Sequence, residues 1–325
     1  MQLSYAQRLE DYHLDLVFAD VHAGFYIDVG GGHPIADNVS YWFYLKGWRG
    51  LVVEPQAKLA NLYAHIRPRD ITACTLVGSR EGEVEFHVVD RLHGFSTTVE
   101  SNAKAAEGMG AGYATERLPM RRLQSLTAQH GITRVDFLKI DVEGAEADVL
   151  VGADWTTCRP RVVVLEAVAP GTMAEAWRDW EPFLLSQGYS FAFFDDLNRF
   201  YVASECAELA ARFLSKPAPW DCVQHLWDFG RAPERPDHPD HVLAQALVRG
   251  LLASLPSLDA RQLTRLLDAG GVSPAELPQL LVGSAEYPGP EPASQKDIVR
   301  LMQSDLVRAA LGRIASAYDG GHLME

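Results

Sequence analysis

Phe25-Tyr-Ile-Asp-Val-Gly-Gly-Gly-His33 is the stretch on which the reading of the fold turns. Tyr26, Ile27 and Val29 make an apolar run that predicts a buried parallel strand, with Asp28 near its end. The three glycines that follow accept positive φ and let a ligand approach the backbone closely. In open α/β sheets, ligands bind beyond the carboxyl ends of the strands, beside such turns. The spacing is not the Gly-x-Gly-x-x-Gly that seats a pyrophosphate on a helix N-terminus. A carboxylate followed by glycines suits a ligand with a cationic amino-acid portion better than it suits a dinucleotide.

Outward from this turn, short apolar runs alternate with helical stretches as far as residue 203. Strands are predicted at 25–29, 50–53, 71–77, 83–89, 135–140, 161–166, 189–194 and 199–203. Helices are predicted near 38–46, 56–65, 121–129, 145–151 and 173–187. This rhythm implies an α/β fold: a Rossmann-like, mostly parallel seven-stranded sheet with helices on both faces, plus a C-terminal helical appendage. Residues 3–20 have helical spacing of apolar groups, so 1–22 is assigned to an N-terminal helix. The main domain then covers 23–215, a linker 216–240, and a helical region 241–325. RAPERPDHPD (231–240) is rich in proline and charge, as linkers are. Helices are predicted beyond it at 241–255, 259–269, 275–282 and 294–316. Ser294 and Asp297 form a capping pair on the last, and Ile298, Leu301, Met302 and Leu306 make its apolar stripe. Residues 91–118 interrupt the rhythm with a long, polar, glycine-rich segment expected to cover the site.

The net charge of −14 excludes general binding to nucleic acid, which requires a basic surface. Four dispersed cysteines, with no Cys-x-x-Cys pair, argue against a disulfide framework or zinc site and favour a reducing cytoplasm. The first residues are too charged for a signal peptide, and no apolar run reaches transmembrane length.

Several polar residues fall where strands end. Glu54 closes the second strand about 25 residues past the glycine turn, where an acid accepts hydrogen bonds from ribose hydroxyls. With Asp28 and the glycines, that chemistry points to S-adenosylmethionine. Lys139, Asp141 and Glu143 leave the strand of Val135–Ile140, and Glu166 ends the next one. Burying such groups is costly without partners, so they are expected to face a polar site. Asp141 and Glu166 then serve as general base or hold a divalent cation such as Mg2+. The alternative is that one acid caps the following helix and the other pairs with Lys139 or Arg199. His93 and His33 lie in loops on the same face, His93 as a base candidate beside GFSTT. His33, Ser96, Asn198, Arg199 and Tyr201 are the acceptor-binding candidates, Tyr201 by packing on a ring face. His238 and His241 lie in the proline-rich linker and are taken as solvated.

FYIDVGGGHP (25–34), KGWRGLVVEP (46–55), GFSTT (94–98) and FLKIDVEGAE (137–146) together resemble the FkbM family of S-adenosylmethionine-dependent methyltransferases. The run WEPFLLSQGYSFAFFDDLNRFYVA (180–203) is similar to members found beside glycan-assembly genes. The resemblance covers about residues 20–215. It implies Asp28, Gly30 and Gly32 around the methionine portion, with Glu54 on the ribose. It also implies a backbone or polar contact to adenine from the turn Leu76-Val77-Gly78-Ser79; Asp141, at the exit of its strand, is expected beside the cofactor as well. Members often carry Asn or Ala where this chain has Gly31 and Gly32, and many carry an acid near Gly78–Ser79 that is absent here. The resemblance says nothing of residues 220–325.

The expected activity is O-methylation of a sugar hydroxyl in a glycan or glycosylated metabolite. The C-terminal helices suit self-association or a partner protein. Two other readings are a non-catalytic binding module on the same fold and a nicotinamide-dependent oxidoreductase, the latter weakened by the glycine spacing.

Overall fold

Strands and helices alternate from the start of the computed structural model, which describes residues 2–89, 95–108, 110–169, 174–213, 223–273, 276–280, 294–304, 307, 311 and 314. β1 (Gln2–Ser4) and α1 (Glu10–Val17) lead into β2 (Phe25–Val29), α2 (Val39–Leu45), β3 (Arg49–Val53), α3 (Ala57–Ile66) and β4 (Ile71–Ala73). Then come β5 (Leu76–Val77), β6 (Gly82–Val89), α4 (Glu100–Gly108), β7 (Tyr113–Arg121), α5 (Leu123–Gln129), β8 (Phe137–Ile140), α6 (Glu146–Val151) and β9 (Val162–Glu166). α7 (Glu181–Ser186), β10 (Tyr189–Phe194), β11 (Asn198–Ala203) and β12 (Val223–His225) complete the first of two units, Met1–Asp228.

The described residues of this unit form a seven-stranded sheet in the order β4-β3-β2-β8-β9-β11-β10. β11 runs antiparallel to both its neighbours, and the remaining strands run one way. Side chains alternate between two cores because successive residues of a strand face opposite sides. Ile27, Val29, Leu51, Leu138, Ile140, Val163 and Leu165 pack with Leu123, Val149, Leu150 and Leu184 from the helices on one face. Tyr26, Val52, Phe137, Val164 and Phe200 pack with Leu14, Phe43 and Tyr63 on the other. The sheet is thus covered on both sides, as the apolar runs predict. Sequential connections leave β2 toward β3 on one side and reach β8 on the other, so the ligand-binding crevice of an open sheet falls at the tips of β2, β3 and β8.

Four local expectations change. The predicted helix over 3–20 is a strand followed by the eight-residue α1. Leu9 has φ 63°, and Asp11 captures the Ser4 hydroxyl at 2.6 Å and the Tyr5 N–H at 2.7 Å, which fixes a turn before α1. The run 71–77 divides after Ala73, and β5 joins a second sheet in the order β5-β7-β6. Within 91–118 the chain forms α4 and most of β7, which pairs with β6 from Tyr113–Val89 to Met120–Gly82. Most of β7 is exposed, so it lacks the alternation that marks a half-buried strand. The helix predicted over 173–187 is α7 preceded by a short 3-10 turn, Trp177–Asp179.

The second unit, Phe229–Glu325, contains α9 (His241–Ser254), α10 (Ala260–Ala269), α11 (Leu277–Leu280) and α12 (Gln295–Met302), after the one-turn α8 (Leu226–Phe229) that straddles the boundary. Asp259 and Gln262 form a reciprocal capping box on α10, and the Ser294 hydroxyl accepts the Asp297 N–H at the start of α12. Leu306 lies outside the described residues. No helix among the described residues is long and apolar enough to cross a membrane.

Candidate functional site

The glycine turn is locked between strand tips. Gly30 and Gly31 donate their N–H groups to the Val53 carbonyl at 3.0 and 3.1 Å. Gly30 has φ +78°, and a methyl group on it would fall 1.7 Å from the Asp141 carbonyl oxygen. The Gly31 carbonyl accepts from Asn38 Nδ2 at 2.9 Å and from the Tyr63 hydroxyl at 2.8 Å. Gly32 has φ +57°, and a methyl group there would meet nothing within 4 Å. The turn is therefore packed from below and open above.

That open side faces a cavity of about 490 Å³, within the range of small-molecule sites. Its floor comes from Gly30, Gly31 and Gly32, Glu54 at the tip of β3, and Lys139 and Asp141 at the exit of β8. Thr75, Leu76 and Val77 form one wall with Phe86, and Ser96, Thr98 and Glu143 form another. Gln7, His33, Asp37 and Trp227 also line it.

Glu54 is almost fully buried and accepts the N–H groups of Gly32 and Gln56, each at 2.8 Å. Each carboxylate oxygen thus spends one lone pair on backbone and keeps another for a ligand hydroxyl. Burial pushes its carboxyl up to about 7 despite those two donors.

Lys139 supports the floor. Its Nζ donates to the Gly30 carbonyl at 2.9 Å and pairs with Asp141 at 3.2 Å and Asp28 at 3.6 Å. Asp28 is fully buried, accepts the Ser40 hydroxyl at 2.5 Å and does not line the cavity. Ser40 also accepts from Arg67, whose guanidinium is buried among Asp70, Asn38 and the Tyr26 hydroxyl. A polar chain thus runs from Arg67 through Ser40, Asp28 and Lys139 to Asp141.

Beyond Asp141 the acids crowd together. Asp141, Glu143 and Glu166 each bring a carboxylate oxygen within 4.8 Å of the others. Burial, reinforced by the Asp141 charge, pushes Glu143 up to about 9. Burial and the neighbouring acids push Glu166 up to about 11. Glu146 turns away and accepts the N–H groups of Val142 and Gly144. Glu143 has φ 56°, and its carbonyl is clamped by the Thr97 hydroxyl at 2.9 Å and Asn102 Nδ2 at 2.8 Å. Thr97 and Asn102 therefore fix the turn that presents Glu143, and Ser96 lines the cavity while its hydroxyl accepts the Val89 N–H.

His33 lines the cavity with Nδ1 accepting the N–H groups of Ile35 and Ala36. That arrangement leaves the proton of the neutral ring on Nε2, so His33 offers a donor. Burial pushes its pKa down, consistent with a neutral ring.

Of the residues expected at the site, Gly30, Gly32, His33, Glu54, Val77, Ser96 and Asp141 line one cavity, and Glu166 stands in the adjoining acid cluster. Gly78 and Ser79 turn toward Asp148, which accepts the Ser79 N–H at 3.1 Å. Asn198 donates to Glu10 at 2.7 Å and is buried. Arg199 and Tyr201 both donate to Glu181. These last three do not line the cavity. His93 lies outside the described residues.

The segment 28–191, half of the chain, matches the family model of the methyltransferase FkbM domain. No curated protein matches the chain.

Proposed function

The chain belongs to the FkbM methyltransferase family, and from that premise we propose an S-adenosylmethionine-dependent O-methyltransferase acting on a sugar hydroxyl of a glycan or glycosylated metabolite. The single observation that carries this reading is the shared cavity, onto which the open face of the glycine turn, Glu54 and Asp141 all converge.

The residues present fit the cofactor. Gly32 leaves space that a side chain would fill, and Glu54 lines the same cavity with one backbone donor on each carboxylate oxygen. In this reading Gly30–Gly32 border the methionine portion, Glu54 takes the ribose hydroxyls, and Thr75–Val77 flank the adenine. When bound, S-adenosylmethionine would supply a sulfonium methyl carbon open to in-line attack by an oxygen nucleophile, with the neutral thioether S-adenosylhomocysteine as the leaving group.

Asp141 orients the acceptor hydroxyl and takes its proton. It suits that task because its side chain is about 30% exposed to the cavity while Lys139 stabilises its charge. Glu143, which lines the cavity, holds its proton near neutrality and donates a hydrogen bond to the acceptor, with the protonated Glu166 beside it in the acid cluster. General-base action of this kind contributes about 10²–10⁴-fold.

The spacing of Asp141, Glu143 and Glu166 supports a second role for the cluster, as oxygen ligands of Mg2+. A cation there would ionise both glutamates and lower the pKa of the acceptor hydroxyl. Cys74, Cys158 and Cys206 are free thiols, which agrees with a cytoplasmic enzyme. Leu243, Leu247 and Leu251 are exposed on α9, which supports self-association or a protein partner through the second unit.

Incubation with a labelled methyl donor and a panel of glycans, read by mass spectrometry, tests the reaction. A gain of one methyl on a sugar oxygen is expected. Calorimetric titration showing no binding of S-adenosylmethionine would return the chain to a binding module.

A further inference from the structure

We propose that Trp227 is the acceptor platform: the face of its indole carries a sugar ring at the cavity mouth, with Gln7, His33 and Asp37 addressing the ring's hydroxyls. This rests on the sugar-methylation reading and adds the residues that would select the acceptor.

Trp227 lines the cavity, yet it is 62% exposed. Every other tryptophan among the described residues is buried or half-buried. A large aromatic left in water beside a binding cavity is the informative kind of exposure. The ring is also held. Its Nε1 donates to Asp37 Oδ1 at 3.0 Å, and its backbone N–H donates to His225 Nδ1 at 3.2 Å. β12, just before it, pairs in parallel with β1 through Gln2–Val223, Leu3–Gln224 and Ser4–His225. His225 Nε2 lies 2.9 Å from the Ala6 carbonyl, next to Gln7. The strand pair thus delivers Gln7 and Trp227 to the same rim.

The chemistry of this rim matches a sugar. A pyranose has an apolar C–H face, which packs on an aromatic ring, and a perimeter of hydroxyls. An amide, an imidazole N–H and a carboxylate together serve hydroxyls as both donors and acceptors. A rigid aromatic with few convergent polar groups is the common composition of a small-molecule subsite. The glycine turn, Glu54 and Thr75–Val77 occupy the deeper part assigned to the cofactor, which leaves the mouth for the acceptor. Gln7 and Trp227 lie outside the matched span 28–191, so acceptor choice would be set by segments flanking the family domain.

The test uses the full chain and the variants Trp227→Ala and Trp227→Phe on an array of neutral and acidic glycans, with calorimetry for S-adenosylmethionine. Trp227→Ala is expected to lose at least tenfold in glycan affinity, and in KM for any methylated glycan. Its affinity for S-adenosylmethionine should stay within about twofold, and Trp227→Phe should recover most of the glycan binding. Unchanged glycan affinity in Trp227→Ala, a parallel loss of cofactor affinity, or no glycan bound by the unaltered protein overturns the proposal. Glycan binding that depends on Trp227 without any methyl transfer would sink the proposed reaction and leave the platform standing.

Discussion

Lys139 stands 3.6 Å from Asp28, its register partner across β2 and β8, and of the two only Lys139 reaches the cavity lining. The same ammonium group holds the Gly30 carbonyl and Asp141. Asp28 therefore acts on the site through Lys139, tying the turn after β2 to the exit of β8.

Replacing Asp28 by Asn leaves the buried ammonium with one carboxylate fewer. Breaking a buried ion pair from one side costs on the order of 3 kcal/mol. Urea denaturation should show that loss, while the folded variant binds S-adenosylmethionine within about tenfold of the original. A large loss of affinity at unchanged stability would instead put the Asp28 side chain on the ligand.

Glu54 gives a pH signature with two opposite signs. In the free protein its carboxyl is raised from about 4.5 to about 7. Its contribution to stability is full below pH 4.5, declines as pH rises toward 7, and is constant above. Ribose hydroxyls donate to the ionised form, so cofactor affinity should instead rise between pH 6 and 8. Glu54→Gln should flatten both trends and weaken binding roughly tenfold, the scale of one charge-assisted hydrogen bond. Equal pH profiles for the two proteins would remove Glu54 from the ribose.

Asp141→Asn should lower kcat by about 10²–10⁴-fold while S-adenosylmethionine still binds, because a base is lost and the glycine turn is kept. Treatment with a chelator separates the two roles of the acid cluster. Loss of turnover restored by Mg2+ assigns Asp141, Glu143 and Glu166 to a cation. Turnover indifferent to the chelator assigns Asp141 to the proton alone.

The central sheet was legible because β2, β3, β8 and β9 are nearly unbroken apolar runs, which a strand covered on both faces requires. Glu54 and the glycines were legible for a related reason: strand ends are also places in space. Arg67, Asn38 and Tyr63 carried no such mark. They come from helix ends and interiors and meet only once α2 and α3 pack on the sheet. Gln7 and Trp227 are brought together by a three-residue strand pair, too short for any period to show. Asp28 stands at the strand end as its place in the run predicts, and the pleat, which no run of letters displays, turns its side chain toward Ser40 of α2.

Two neighbouring glycines separate scaffold from ligand contact. At Gly30 a methyl group would overlap the Asp141 carbonyl at 1.7 Å, and φ +78° adds strain for any side chain. Gly30→Ala must therefore displace β8 from β2, and loss of folded protein on expression is expected. Gly32 also has positive φ, but its methyl group would enter open space. Gly32→Ala should cost only about 1–2 kcal/mol in stability, the penalty for a left-handed residue with a side chain. The methyl would project into the volume assigned to the methionine portion, so cofactor affinity should fall at least tenfold by calorimetry. A Gly32→Ala protein that binds S-adenosylmethionine as the original does would show that the ligand lies elsewhere in the cavity.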